Sequence, residues 1–162
     1  MAYTPQKLII REYPDPFLKV VAKPVPVINE EIRELADDML HTMYESEGVG
    51  LAGTQVGEDK RIIVVDDDPQ NTSKPALIMI NPVITAYSGV KNGMEQCLSI
   101  PDLSVMVPRY EQIEVTYKDE VGLSHTVIAA DFLSVIIQHE ISHLNGETIR
   151  NYVDVKEFNE KM

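Results

Sequence analysis

The sequence has 162 residues, enough for one core of ordinary size. With 26 acidic residues against 14 basic ones, its formal charge of −12 argues against a specific nucleic-acid partner, because phosphate backbones reward Lys and Arg. Hydrophobic residues make up 44%, which excludes wholesale disorder, and with no Trp and three Phe the core falls to Ile, Val, Leu and Met.

The opening stretch, MAYTPQKLII, lacks the charged and long apolar regions of a secretion signal. No apolar run approaches the roughly 18–20 residues of a membrane-spanning helix, so no membrane partner is expected. The single cysteine, Cys97, excludes an internal disulfide framework. A reducing compartment follows, the cytoplasm or an organelle interior. The chain reads as a single domain, 1–162, with no repeats.

Prolines 5, 14, 16, 24 and 26 keep the N-terminal segment 1–28 extended or turning. Asn29 can cap a helix, and Ile32, Leu35, Ala36, Met39, Leu40, Met43 and Tyr44 recur at helical spacing up to about Glu45. The next stretch, GVGLAGTQVG, holds four glycines in ten residues and is a poor helix. Strand candidates follow at Arg61–Asp66, Ala76–Ile80, Val83–Tyr87, Leu103–Val107, Gln112–Lys118 and Ser124–Ala129. The expected separators are Asp67-Asp68-Pro69, Asn81-Pro82, Asn92-Gly93, Pro101 and Gly122. The acid run Asp66-Asp67-Asp68 reads as a solvated turn rather than a cation site, and His41 and His125 as structural or solvated. A second helix should start at Asp131, with Asp131 and Ser134 as capping candidates, and stop at Gly146. Its residues are apolar almost all round, which predicts a buried central helix. The remaining tail, 147–162, starts with β-prone residues and turns polar. The order of elements predicts an α+β fold, mostly antiparallel strands packed around that helix.

The second helix carries His139-Glu140-Ile141-Ser142-His143. At about 100° per residue the two histidines lie one turn apart on one face, where both can grip one metal ion. Glu140 stands beside the first of them, within reach of an activated water; this is the H-E-x-x-H pattern. Catalytic metal sites commonly use three protein ligands. Downstream the sequence offers Glu147, Glu157 and Glu160 but no His; upstream it offers Cys97, whose thiolate is a strong ligand. A lone buried cysteine is also a common inert packing residue.

Three stretches together carry a resemblance. They are Gly48-Val49-Gly50-Leu51-Ala52-Gly53-Thr54-Gln55, Glu95-Gln96-Cys97-Leu98-Ser99, and Gln138 through Gly146 with the metal pattern inside. In order and spacing they resemble the peptide deformylases, over nearly the whole chain. The resemblance implies a metal-dependent hydrolase that removes the N-formyl group from the formyl-methionine of new polypeptides and releases formate. It implies Cys97, His139 and His143 as ligands of one divalent ion, Fe²⁺ in the cell, with Zn²⁺, Ni²⁺ or Co²⁺ as substitutes. It makes Glu140 the general base and acid. Gln55 and the backbone N–H of Leu98 would polarise the formyl oxygen. Val49, Phe132 and Val135 would line a methionine pocket, and the strand edge at Gly50 could pair with the substrate backbone.

The sequence departs from the family pattern at Gly53 (usually Ala), Gln96 (usually Gly), Ser142 (usually Asp) and near Ser104 (commonly a basic residue). A Gly at 96 with positive φ would leave Gln96 strained, and Ser142 would alter a bond behind a ligand histidine. The family's basic C-terminal helix has no counterpart in the tail 147–162, so ribosome contact through it is doubtful. Two other readings remain: a different H-E-x-x-H amidase or peptidase, and a non-catalytic metal- or peptide-binding relative.

Overall fold

The computed structural model describes residues 2–153. The tail beyond, including Glu157 and Glu160, lies outside the described residues.

Helix α1 spans Glu30–Glu45, and Asn29 caps it by accepting from the backbone N–H of Ile32 at 3.1 Å. Two acidic residues in its first turn, Glu30 and Glu31, suit the positive end of the helix dipole. Strands β1 (Gly50–Ala52), β2 (Ile62–Val65), β3 (Leu77–Cys97), β4 (Ile100–Lys118) and β5 (Ser124–Ala130) form one antiparallel sheet in chain order. Helix α2, Asp131–Leu144, follows directly from β5. Short 3₁₀ turns occupy Pro16–Lys19, Gly53–Val56 and Ile149–Tyr152. This is the predicted α+β arrangement around a central helix.

The two helices cover opposite faces of β2. Ile63 and Val65 join the cluster that holds Ile136, Ile137, Ile141 and Leu144 of α2. Ile62 and Val64 join Ile32, Met39 and Met43 of α1. Alternate residues of a strand point to opposite faces, so a four-residue apolar run is what a doubly covered strand requires. A third cluster, with Cys97, Leu103, Val105, Val107 and Ile149, closes the far end of the β3–β4 ribbon.

Three expected separators do not interrupt strands. Asn81-Pro82 and Asn92-Gly93 lie inside β3, and Pro101 lies inside β4. Asn81 does leave a mark: it sits at φ 53, and the register shifts between Ile80 and Val83. Its amide side chain pairs with both backbone groups of Val25, so tertiary contacts absorb the irregularity. Pro101 and Pro108 are tolerated because β5 flanks β4 only from Gln112 onward, which leaves one edge of the earlier stretch without a strand partner.

The start of α2 also differs from expectation. Neither Asp131 nor Ser134 caps it. Asp131 is the first helical residue, at φ 54, a conformation that Asp tolerates better than most residues. The Ser134 hydroxyl instead donates to the carbonyl of Tyr110. The stop is as predicted, with Gly146 at φ 78. Asp66 is buried rather than solvated, and it accepts from the Tyr44 hydroxyl at 2.5 Å. Asp67 of the same turn pairs with Lys74.

Candidate metal centre

Helix α2 is anchored before it presents its histidines. Gln138 accepts from the Tyr110 backbone N–H and donates to the Tyr110 carbonyl, both at 2.9 Å. This amide clasp fixes α2 against β4 one residue before His139.

Cys97 ends β3, 42 residues before His139, yet the sheet carries it to the same point. Its Sγ lies 3.3 Å from His143 Nε2, which lies 3.2 Å from His139 Nε2. The three donor atoms all fall within 4.8 Å of one another, and all three residues are buried. Tetrahedral ligands at ordinary zinc-site bond lengths have donors about 3.4–3.6 Å apart. The donor set therefore fits one small divalent ion, with a soft thiolate and two imidazoles. Glu147 is exposed and does not join this cluster.

The carboxylate of Glu95, two residues before Cys97, supports the first histidine. Its Oε1 accepts from His139 Nδ1 at 2.9 Å, which leaves Nε2 facing the cluster. Arg109 on β4 grips the same carboxylate with two bonds of 2.9 Å, and its Nη1 donates to the Ser142 hydroxyl at 3.3 Å. Ser142 thus keeps a bond behind the ligand helix despite losing a carboxylate. Burial would raise the pKa of Glu95, but the hydrogen bonds from His139 and Arg109 outweigh it and hold the carboxyl below its usual range. Burial would lower His139, yet Glu140, Cys97 and Glu95 carry it up to about 10. Those anionic surroundings favour a metal cation for the same reason. His143 is pushed well down, first by burial and then by His139 and Arg109.

Glu140 points into the same cleft and is buried; its Oε1 has no hydrogen-bond partner among the described residues. Burial pushes its pKa up to about 7, against the pull of His139 and Arg109. A carboxyl there can both take and return a proton near neutrality. Gly50 is what lets it fit: a Cβ at that position would lie 2.5 Å from Glu140 Oε2. Gln55 is buried in the 3₁₀ turn after β1. Its Oε1 accepts from the Ala52 N–H, and its Nε2 donates to Ser99 Oγ at 3.0 Å, 3.8 Å from Cys97 Sγ. Leu98 follows Cys97 at the β3–β4 turn and lines the cleft.

The cleft has a volume of about 770 Å³, and Val49, Gly50, Phe132 and Val135 all line it. Phe132 is 53% exposed, so its ring is open to the cleft. Gly50 lies on β1, the end strand of the sheet.

Three departures resolve structurally. Gln96 is not at positive φ; among the described residues only Glu47, Asn81 and Asp131 are non-glycine residues there. The expected strain is therefore absent, and Gln96 Nε2 instead donates to Ser104 Oγ at 3.0 Å. The two departures at 96 and 104 thus bond to each other across the ribbon. Gly53 has no room for a methyl, since its Cβ would lie 2.7 Å from the Lys60 carbonyl oxygen.

Sequence reasoning missed Arg109, which falls in the gap between two predicted strands, and gave Glu95 no role. A buried Arg has no local signature; the usable hint was Glu95 at fixed distance from Cys97.

A family model for polypeptide deformylases matches residues 7–159. Peptide deformylase 1 of Nostoc sp. is 46% identical over 141 residues, covering 86% of this chain and 75% of its own. The peptide deformylase of Alkalilimnicola ehrlichii is 43% identical over 146 residues, covering 90% and 82%. The crystal structure of a peptide deformylase from Legionella pneumophila matches with a TM-score of 0.92 at 32% identity, over 96% of this chain and 91% of that one. That of the Synechococcus elongatus enzyme in complex with actinonin matches at 0.91 and 40% identity, over 95% and 85%.

Proposed function

The chain belongs to the peptide deformylase family, hydrolases that remove the N-formyl group from nascent polypeptides, and we propose that Cys97, His139 and His143 hold the metal of this reaction. The observation that carries the assignment is convergence: a thiolate from the end of a strand meets two histidines of a helix, beside Glu140. We assign Fe²⁺ as the native ion, a metal that a thiolate and two imidazoles suit, with Zn²⁺, Ni²⁺ or Co²⁺ able to take its place. Held there, the ion would supply Lewis acidity to a hydrolytic reaction.

The residues supply the rest. Glu140 takes the proton of the attacking water and passes it to the amine as the formyl C–N bond breaks, leaving formate and a free methionine N-terminus. Gln55 Nε2 and the Leu98 N–H donate to the formyl oxygen as it gains charge. Val49, Phe132 and Val135 receive the methionine side chain, and the β1 edge at Gly50 takes the substrate backbone as an added strand. Since all three motifs meet in one cleft, we read residues 1–162 as a single catalytic domain. No helix among the described residues is long and apolar enough to cross a membrane. An oxidisable thiolate site suits the reducing cytoplasm.

Formate release from a formyl-methionyl peptide tests the reading, with the full chain loaded with Fe²⁺ under anaerobic conditions. Turnover should be lost by several orders of magnitude in Glu140→Ala while the metal stays bound. Metal binding without formate release would leave a non-catalytic relative, and cleavage of internal peptide bonds would point to a different amidase.

A further inference from the structure

Gln55 and Leu98, the two donors assigned to the formyl oxygen, sit on different elements: the 3₁₀ turn after β1 and the turn between β3 and β4. Both must meet one oxygen, and a misplacement of about 1 Å can cost roughly 100-fold in rate. One side-chain bond joins the two turns, from Gln55 Nε2 to Ser99 Oγ at 3.0 Å. A second connection runs behind them through the N-terminal segment. The backbone N–H of Arg11 donates to the Gln55 carbonyl at 2.7 Å, and the N–H of Tyr13 donates to the Ser99 carbonyl at 2.9 Å. The first acceptor belongs to a donor residue itself, and the second follows Leu98 directly. Two residues of backbone span at most about 7 Å, so Arg11–Tyr13 is a short tie of limited reach.

The tie is itself mounted. The Arg11 guanidinium lies 5.1 Å from the centre of the Phe17 ring and donates to Asp15 at 3.3 Å. It also packs on Gly57, where a Cβ would come within 2.5 Å of its Nη2. The guanidinium of Arg150 lies 4.4 Å from the centre of the Tyr13 ring. Further on, Leu18 is buried, and the Ala22 N–H donates to the Leu144 carbonyl at the end of α2. Residues 11–13 neither line the cleft nor belong to the metal cluster.

We propose that Arg11 and Tyr13 are positioning residues: their backbone N–H groups clamp the two turns so that Gln55 Nε2 and the Leu98 N–H converge on one point. The inference rests on the deformylase reading and deepens it. Donors that meet charge developing in the transition state raise kcat, so a loosened clamp lowers kcat and leaves KM in place. Metal affinity is also spared, because Cys97 is held by its pairing with Ile100 and the histidines by α2.

The test measures formate release from formyl-Met-Ala-Ser by the metal-loaded full chain and two variants. Arg11→Pro removes one N–H of the clamp. A backbone ester at residue 13, made with the α-hydroxy analogue of tyrosine, removes the other and keeps the side chain. In each, kcat should fall about tenfold or more while KM and metal affinity, the latter read by chelator competition, stay within about twofold. Arg11→Ala keeps its N–H and should recover most of the kcat that Arg11→Pro loses. On a thioformyl-methionyl peptide the deficit of both variants should shrink, because sulfur accepts hydrogen bonds weakly. If Arg11→Pro does not fold, the ester decides. The inference is overturned by an ester variant with unchanged kcat, by KM or metal affinity moving as far as kcat, by Arg11→Ala falling as far as Arg11→Pro, or by an equal deficit on the thioformyl peptide. Each of those leaves the deformylase reading standing; no formate from the unaltered chain would overturn both.

Discussion

The imidazole of His139 is held by the carboxylate of Glu95, 2.9 Å from Nδ1 to Oε1, and the same carboxylate is gripped twice by Arg109. The metal-facing nitrogen of His139 is therefore oriented by a residue of another element. Glu95→Gln keeps the shape but loses the charge that fixes both partners. Metal affinity should fall about 10- to 100-fold, read by competition with a chelator. Unchanged affinity would reduce Glu95 to a packing role.

Cys97 is the candidate ligand that lies outside the helix. Cys97→Ala should abolish tight metal binding, and with it the rise in thermal midpoint that added metal produces. For the unaltered protein at a hundredfold excess over Kd, that rise corresponds to about 2.7 kcal/mol. A variant that still binds one ion with the same stabilisation would place the third ligand elsewhere.

Gly53 stands where the family usually has Ala, and a methyl there would press on the Lys60 carbonyl oxygen at 2.7 Å. Gly53→Ala should accordingly destabilise this chain, by about 1–3 kcal/mol, the usual range for overpacking. Denaturant unfolding measures it. A gain in stability would show that the loop before β2 yields easily.

Two tyrosines should titrate late. The hydrogen bond to Asp38 pushes Tyr3 up to about 12, and burial together with the bond to Asp66 does the same for Tyr44. A raised pKa in the folded state means that these groups contribute stability fully below the unfolded value of about 10. That contribution is lost as pH rises from there through 12. Burial, with Asp119 and Glu120, raises Tyr117 as well, so ultraviolet titration of phenolate should show at least two late tyrosines in the folded protein, and Tyr44→Phe should remove one. No late-ionising tyrosine in the parent, or a late component unchanged in Tyr44→Phe, would contradict the assignment.

The local features of this protein were readable along the chain. Asn29 and the spacing from Ile32 to Tyr44 specify α1, because caps and helical periodicity are properties of neighbouring residues. His139, Glu140 and His143 share a helix face for the same reason. The antiparallel strands were legible too, though as short pieces. Their merger through Asn81-Pro82 and Pro101 depended on which edges the neighbouring strands cover and on the grip of Asn81 on Val25. The start of α2 was settled by the Tyr110 carbonyl taking Ser134 away from a capping role. At the site, motif and resemblance pointed to Cys97, but only the sheet brings its sulfur to 3.3 Å from His143. Arg109 had no local signal of its own, because burying a guanidinium needs a carboxylate partner, and that partner, Glu95, lies across the ribbon. Sequence determined the helical pair of candidate ligands and the carboxylate beside them, since one turn of helix fixes their spacing. Tertiary structure decided the place of the third candidate ligand and the Glu95–Arg109 support, since each needs groups that only the folded sheet makes adjacent.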